Sequence, residues 1–483
     1  MIRFRAVGYV LGQFVLTLSA TMLVPLAYAL ATGGDGAGEF VYAASITALS
    51  GVLAMLVTDR PEQELSQREG LLLVASIWGA VGIFGSLPFQ FSEHFPSITD
   101  AVFESVSGFT TTGATILPMV EVLPDSVQLW RHFSHWLGGM GIVVLGIAIL
   151  PLVGHGGMQL YRAEFSGAKS ERLKPRITET ALSLWKIYVL LTAAEFLLLR
   201  LAGMTWFEAI CHAFSTLGTG GFSTRSTSVG GFESPIIELI IIVFMLLAGV
   251  SFIQHFRLWV ERNPSSLVRD YEFRYYILIV FVSTGIIGAV LIGDGEYPVF
   301  EAVRSALFQV SSIVTTTGFV TDDFEVWHPL PQLILLALMF VGGCTGSTSG
   351  GMKTSRIILL GRVVDREFKR MVERRGVFAV RLGGVVVEEN TIQSLLNLVY
   401  LAFVVNFTAC LILAALGVDV LTSISAVAAS MFNIGPGLGE VGPRDNYGGL
   451  PGAAKCVLAV CMIAGRLEFY TIIVIMTPAF WRK

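Results

Sequence analysis

Long apolar runs separated by short polar ones dominate the chain, and their lengths sort into two classes. Runs near residues 6–31, 40–57, 69–91, 127–153, 180–202, 235–260, 273–293, 331–360, 391–416 and 452–479 approach or exceed the roughly 20 residues that cross a hydrocarbon core, which predicts ten spanning segments. Four shorter amphipathic stretches, near 98–109, 205–217, 299–314 and 419–432, are only about three turns long. Each leads into a Thr/Gly-rich turn: Thr110-Thr111-Thr112-Gly113-Ala114, Gly218-Thr219-Gly220-Gly221-Phe222, Thr315-Thr316-Thr317-Gly318-Phe319 and Asn433-Ile434-Gly435-Pro436-Gly437. Too short to cross, these stretches suit re-entrant half-helices whose non-helical ends are buried in protein or line water.

The order of elements predicts an all-α integral membrane protein. Two N-terminal helices (1–62) precede four repeats of helix, re-entrant pore loop and helix (63–160, 161–265, 266–382 and 383–483), in pseudo-fourfold arrangement around one ion pathway. Weak internal similarity supports the division. Phe103 and Ser107 correspond to Phe308 and Ser312, with Ser215 in the second unit, and Phe207-Glu208-Ala209 opens its half-helix as Phe300-Glu301-Ala302 does. The fourth unit is the most diverged.

Composition fits lipid as solvent. Of 483 residues 54% are hydrophobic and 14% charged, with a mean hydropathy of +0.71, more apolar surface than a soluble core of this length hides. A net charge of -4 without a basic stripe argues against nucleic acid. Cys211, Cys344, Cys410, Cys456 and Cys461 lie in apolar segments without metal spacing and read as buried thiols. The first run resembles a signal peptide, with Ala27-Tyr28-Ala29 at its end, but at about twenty-five residues it is long enough to remain as a helix.

Charge placement predicts the orientation. With the N-terminus cytoplasmic, inner loops and termini hold 22 of the 32 Lys and Arg, including Arg162, Lys169, Arg172, Lys174, Arg176, Arg482 and Lys483. Both termini then lie inside and the four turns face out. The outer side receives Arg131, Arg200, Arg225, Arg304, Arg444 and Lys455, and also Asp100, Glu296, Asp322, Asp323, Glu325, Glu440 and Asp445, which read as an acidic mouth.

A partly dehydrated cation needs oxygen ligands in place of water. Carbonyls aligned over successive residues require backbone conformations that glycine adopts without cost, and threonine adds a hydroxyl and a stiff side chain. The expected ligand positions are Thr111, Thr112, Gly113, Thr219, Gly220, Gly221, Thr316, Thr317, Gly318, Asn433, Ile434 and Gly435, with either Gly435 or Gly437 as the fourth key glycine. The eighth run is broken by Gly342-Gly343-Cys344-Thr345-Gly346-Ser347-Thr348-Ser349-Gly350-Gly351-Met352-Lys353, and helix formers resume from Ser355. Small residues with few packing commitments predict a movable gate below the ion site, formed by Gly343, Gly346, Ser347, Thr348, Ser349, Gly350 and Gly351 with Lys353 at its inner end. Arg466 sits in the last apolar run, where a charge turns to the bundle interior. It predicts a fixed positive barrier, with Glu468 as a nearby acid.

Other chemistries fit less well. A broken-helix secondary transporter explains the interruption at Gly343 but not four outward turns, and its coupling acids would have to come from Glu195, Glu238 and Glu468. An intramembrane hydrolase would need serine where Gly346-Ser347-Thr348-Ser349-Gly350 has threonine. His132 and His135 lack a third ligand and read as packing. Gly435-Pro436-Gly437-Leu438-Gly439 has no strand before it, so any nucleotide belongs to a partner.

Taken with Gly465-Arg466-Leu467-Glu468, these motifs resemble the membrane subunit of bacterial Trk-type potassium uptake systems, the TrkH/TrkG family, across essentially the whole chain. The two leading helices resemble that branch rather than the Ktr branch. The resemblance implies a potassium-selective, channel-like pathway with potassium bound in the four-loop filter. It also implies an intramembrane gating loop at 343–353, a barrier arginine at Arg466 and a homodimer in the bacterial inner membrane. A cytosolic TrkA-type nucleotide-binding regulatory subunit would dock on basic inner loops such as Arg362 to Arg381. The turns depart from the Thr-Val-Gly-Tyr-Gly pattern of potassium channels, with one dependable glycine each, which implies weaker selectivity.

Overall fold

The structure, a computed structural model, describes residues 2–63, 65–149, 177–295, 297–467 and 470–482. Arg162, Lys169, Arg172, Lys174, Arg176, Glu296, Glu468, Lys483 and the boundary at 160/161 lie outside the described residues. The fold is all-helical apart from a two-stranded hairpin, Arg381–Leu382 with Val385–Val386, turned by Gly383 and Gly384, both at positive φ. Among the described residues six helices are long and apolar enough to cross a membrane: Phe4–Thr32, Ala37–Val57, Gln67–Phe91, Ala181–Leu201, Tyr271–Gly293 and Glu389–Ala415.

The other four apolar runs form one unbroken helix, the break expected at 342–353, and two bends that the run lengths did not show. Asp125–Ile149 is one 25-residue helix. The run near 235–260 is sharply bent: Pro235–Ala248 ends and Phe252–Trp259 leaves at 99°. The runs near 331–360 and 452–479 are each broken, into Pro329–Leu338 and Thr354–Val372, and into Gly452–Arg466 and Tyr470–Met476.

The four half-helices form where the amphipathic stretches lie: Ile98–Phe109, Trp206–Gly218, Val299–Val314 and Val420–Met431. Side chains cap three of their starts. Ser97 accepts from the Asp100 N–H, Thr205 and Glu208 form a capping box, and Asp419 accepts from the Thr422 N–H. At 12, 13, 16 and 12 residues they stop short of the roughly 30 Å core. Their C-terminal halves are buried, so longer helices surround them.

Both chain ends and the start of the third span meet at one end of the molecule. Arg3 pairs with Glu69 at 2.8 Å, Arg68 donates to the Arg482 carbonyl at 2.7 Å, and Phe4 stacks on Trp481. All five cysteines are free. Cys211, Cys344 and Cys461 are buried, whereas Cys410 is half-buried and Cys456 is exposed, so the expectation of buried thiols fails at Cys456 because it lies on an outward helix face.

Candidate ion pathway and gate

Each half-helix ends in the same backbone device. The N–H of Thr112 bonds the Ser107 carbonyl and that of Thr111 bonds Gly108; Gly220 and Thr219 do the same to Ser215 and Thr216, Thr317 and Thr316 to Ser312 and Ile313, and Ile434 and Asn433 to Ala429 and Ser430. These paired bonds are the Schellman motif, which needs a left-handed residue just past the helix. That residue is ordinarily glycine. Here it is Thr111, Thr219 and Thr316 at φ of 54°, 54° and 56°, and Asn433 at 56°. A β-branched residue held there costs about 1–3 kcal/mol and persists only where its surroundings impose it.

Two residues further on a second positive φ recurs at Gly113 (79°), Gly221 (81°), Gly318 (76°) and Gly435 (102°). Gly435, not Gly437, therefore holds the equivalent fourth position; Gly437 has no positive φ, and its N–H is spent on the Val441 carbonyl at 2.7 Å.

The four loops close on one another. A Cβ added at Gly113 would fall on the carbonyl oxygen of Gly220, at Gly221 on that of Thr317, at Gly318 on that of Ile434, and at Gly435 it would stand 2.7 Å from that of Thr112. Each loop thus abuts the next and the fourth returns to the first, so the expected residues Thr111 to Gly113, Thr219 to Gly221, Thr316 to Gly318 and Asn433 to Gly435 are brought together. One cavity reaches all four glycines. Of the outer acids named from sequence only Asp445 lines that cavity, beside Arg131, Arg225 and Arg444. Asp323 stands 4.0 Å from Arg444 at the same rim, and Glu325 accepts from the Gly439 N–H. Asp100 pairs with Lys455 at 2.6 Å, and Arg131 with Glu104 at 2.8 Å, both within the protein.

Most threonine hydroxyls serve the scaffold. Thr112 bonds Thr110 and Thr317 bonds Thr315, each at 2.8 Å; Thr219 donates to the Gly218 carbonyl, and Thr316 accepts from the Gly350 N–H at 2.6 Å. The Thr111 hydroxyl is buried without a hydrogen-bond partner among the described residues. Two polar supports of the fourth loop were not read as supports from the sequence, which named Asn433 only as a ligand position and Tyr447 not at all. Asn433 Nδ2 donates to Thr112 Oγ1 at 2.9 Å and to the Met462 carbonyl at 3.0 Å, and the Tyr447 hydroxyl donates to the Gly435 carbonyl at 2.7 Å. His132 and His135 are fully buried, both against Ser215 Oγ, and His135 stacks on Phe222 behind the second loop. No metal-holding group of His, Cys, Asp or Glu occurs among the described residues.

The break at 342–353 lies directly beneath the ring, on its third and fourth loops. Gly350 reaches Thr316 through its N–H, and a Cβ there would press on the Phe432 carbonyl. Gly343, Gly346, Ser347, Thr348, Ser349, Gly350 and Gly351 are packed and bonded rather than loosely held. Gly343 N–H donates to Ser349 Oγ, Ser347 Oγ donates to the Cys344 carbonyl, and Lys353 Nζ donates to the Ser349 carbonyl. The unforeseen elbow after Ala248 grips the loop from the side: Cys344 N–H bonds the Gly249 carbonyl at 2.8 Å, and Phe252 N–H bonds that of Gly346 at 3.0 Å. Arg466 is 8% exposed and donates from Nη1 to the Thr348 carbonyl at 3.0 Å, while its Nε and Nη2 have no hydrogen-bond partner among the described residues.

A predominantly helical chain with six apolar helices of spanning length has the architecture of a multi-pass membrane protein. The chain belongs to the TrkH family: the family model described as TrkH, cation transport protein, matches residues 39–483. It is 43% identical to the Trk system potassium uptake protein TrkH of Halomonas elongata, over 99% of this chain and 98% of that protein. To the TrkH of Escherichia coli K12 it is 42% identical, over 99% and 100% of the two chains. The crystal structure of the potassium transporter TrkH from Vibrio parahaemolyticus matches with a TM-score of 0.92 at 39% identity, covering 100% of both chains. The family resemblance read from the motifs is borne out, and the family is one of transport proteins rather than enzymes.

Proposed function

We propose that this chain takes up potassium across the bacterial inner membrane through a pore whose selectivity filter is the ring of four loops. The carrying observation is the closure of that ring: four glycines at positive φ, each backed against a carbonyl of the next loop. Carbonyls in such a ring replace the hydration shell of a monovalent cation, and each half-helix directs the negative end of its dipole to the same place. Potassium in the names of the relatives agrees with this chemistry. The bound ion is cargo, coordinated by carbonyls of Thr111 to Gly113, Thr219 to Gly221, Thr316 to Gly318 and Asn433 to Gly435.

In this reading residues 343–353 with Arg466 are the gate below the filter, and Arg466 supplies a positive barrier where it meets Thr348. The pathway is the axis of four repeats bounded at 63–160, 161–265, 266–382 and 383–483, after two helices in 1–62. Both termini face the cytoplasm, consistent with their meeting at one end and with the basic inner loops. The chain works as a homodimer under a cytosolic TrkA-type nucleotide-binding subunit, for which the basic segment Arg362 to Arg381 is suitable docking surface. Rubidium and sodium flux through the purified chain in liposomes tests the filter. Gly113→Ser places an atom on the Gly220 carbonyl and is expected to lower the potassium-over-sodium preference by about tenfold or more, the ratio that 1.4 kcal/mol carries; an unchanged preference counts against the filter.

A further inference from the structure

We propose that Glu272 is the latch that holds the intramembrane loop in the conformation described here, a reading that rests on residues 343–353 being the gate. Glu272 stands in the first turn of the helix Tyr271–Gly293 and is 6% exposed. One of its oxygens, Oε1, takes three hydrogen bonds from the two ends of the loop. On the near side are the Thr345 N–H at 2.7 Å and the Thr345 hydroxyl at 3.0 Å, and on the far side the Ser355 N–H at 3.0 Å. Thr345 and Ser355 also bond each other through their hydroxyls at 2.8 Å.

The far-side bond is a helix cap supplied from outside. The helix Thr354–Val372 begins with Lys353 as its N-cap, and no side chain of its own caps it. Orphan N–H groups at such an end, with the positive end of the helix dipole, favour an anionic acceptor. Glu272 supplies one. The same carboxylate that caps the helix below the loop therefore ties down the loop's entry, so the loop cannot shift relative to that helix without breaking charge-assisted bonds, which are stronger than neutral ones.

The latch is also attached to the elbow after Ala248. Asp270, the N-cap of the Glu272 helix, accepts from Gln254 Nε2 at 2.9 Å, and Phe252, at the start of the same short helix, bonds Gly346. Displacement of the segment between Phe252 and Asp270 thus pulls on the gate at Gly346 directly and at Thr345 through Glu272. Glu272 is a positioning residue: it acts on the ion path through the loop.

The experiment measures basal rubidium flux and potassium-over-sodium preference for the full chain in liposomes. Four variants are compared with the parent: Glu272→Gln, Thr345→Val, their double variant, and a deletion within Gly346 to Gly350. Glu272→Gln keeps the shape but weakens all three bonds, and its basal flux is expected to rise about tenfold with unchanged ion preference, the population shift that one lost charge-assisted bond gives. Thr345→Val removes one donor and is expected to raise flux about threefold, with the double variant no higher than Glu272→Gln because both act through one contact. A residue that merely held the fold together would lower flux. If the deletion raises flux and Glu272→Gln does not, the latch is overturned and the gate stands; if the deletion leaves flux at the parent level, gate and latch fall together. Additive effects of the two substitutions also overturn the latch. Should Glu272→Gln not fold, Thr345→Val decides by the same rise or its absence.

Discussion

Thr111, Thr219 and Thr316 end three half-helices in a left-handed conformation, and Asn433 ends the fourth in the same one. The sequences around them differ, Thr-Thr-Gly, Gly-Gly and Thr-Thr-Gly against Asn-Ile-Gly-Pro-Gly, yet the paired helix-ending bonds and the second positive φ fall at the same offsets. What differs is the support. Two of the first three loops brace their backbone with a neighbouring threonine, and the second rests on His135 and Phe222. The fourth reaches further: Asn433 crosses to Thr112 of the first loop, and Tyr447 comes from outside to the Gly435 carbonyl. The backbone path is the common requirement, and side chains are interchangeable means of holding it.

The largest effect is expected where a side chain would strike the common backbone. Gly318→Ala puts a Cβ on the Ile434 carbonyl at a φ of 76°, and should lower potassium-over-sodium preference in paired flux assays by about tenfold or more. A variant as selective as the parent would break the equivalence of the third and fourth loops. Asn433→Thr tests interchangeability itself, since it gives the fourth loop the residue of the others while removing the bonds to Thr112 and Met462. Loss of about 1–3 kcal/mol, seen as a lower midpoint of thermal unfolding in detergent, is expected for the groups left unpaired; parental stability would show that the cross-brace contributes nothing.

Tyr447→Phe deletes one hydroxyl and should change preference by about fivefold, the equivalent of roughly 1 kcal/mol for one net hydrogen bond. The smallest effect is expected for Gly437→Ala. It has no positive φ, and a Cβ there first meets the Ser425 hydroxyl and a Val441 methyl, at 2.9 Å each. Selectivity lost at Gly437 and retained in Gly435→Ala would exchange their assignments.

Much of this architecture was legible because length and period carry it. Ile98–Phe109 and Val299–Val314 fall on the stretches read from amphipathic pattern, and the Thr/Gly turns follow them directly. The elbow after Ala248 was not legible, since Gly249 and Ser251 interrupt an apolar run too lightly to distinguish a bend from a span; tertiary bonds to Cys344 and Gly346 hold it. The hairpin at Arg381 did have a signal, Gly383-Gly384 between the apolar residues Leu382 and Val385, at the end of a segment read only as a basic inner loop. For the site, the residues of the ring were visible as glycines and threonines. The bonds that support the ring from Asn433 and Tyr447, and the loop at 343–353 from Glu272, act across 321, 12 and 73 residues, which local pattern does not encode. The choice between Gly435 and Gly437 needed dihedral angles, because both glycines flank a proline and look alike in one dimension.

Because all four walls of the ring come from one continuous polypeptide, a single codon alters one wall and leaves three untouched. An assembly of four identical subunits has no such freedom, since every substitution is multiplied fourfold. Here one quadrant carries asparagine and an isoleucine carbonyl while the rest keep threonine or glycine, so a filter of the kind proposed is free to become lopsided in small steps, with its selectivity retuned one quadrant at a time.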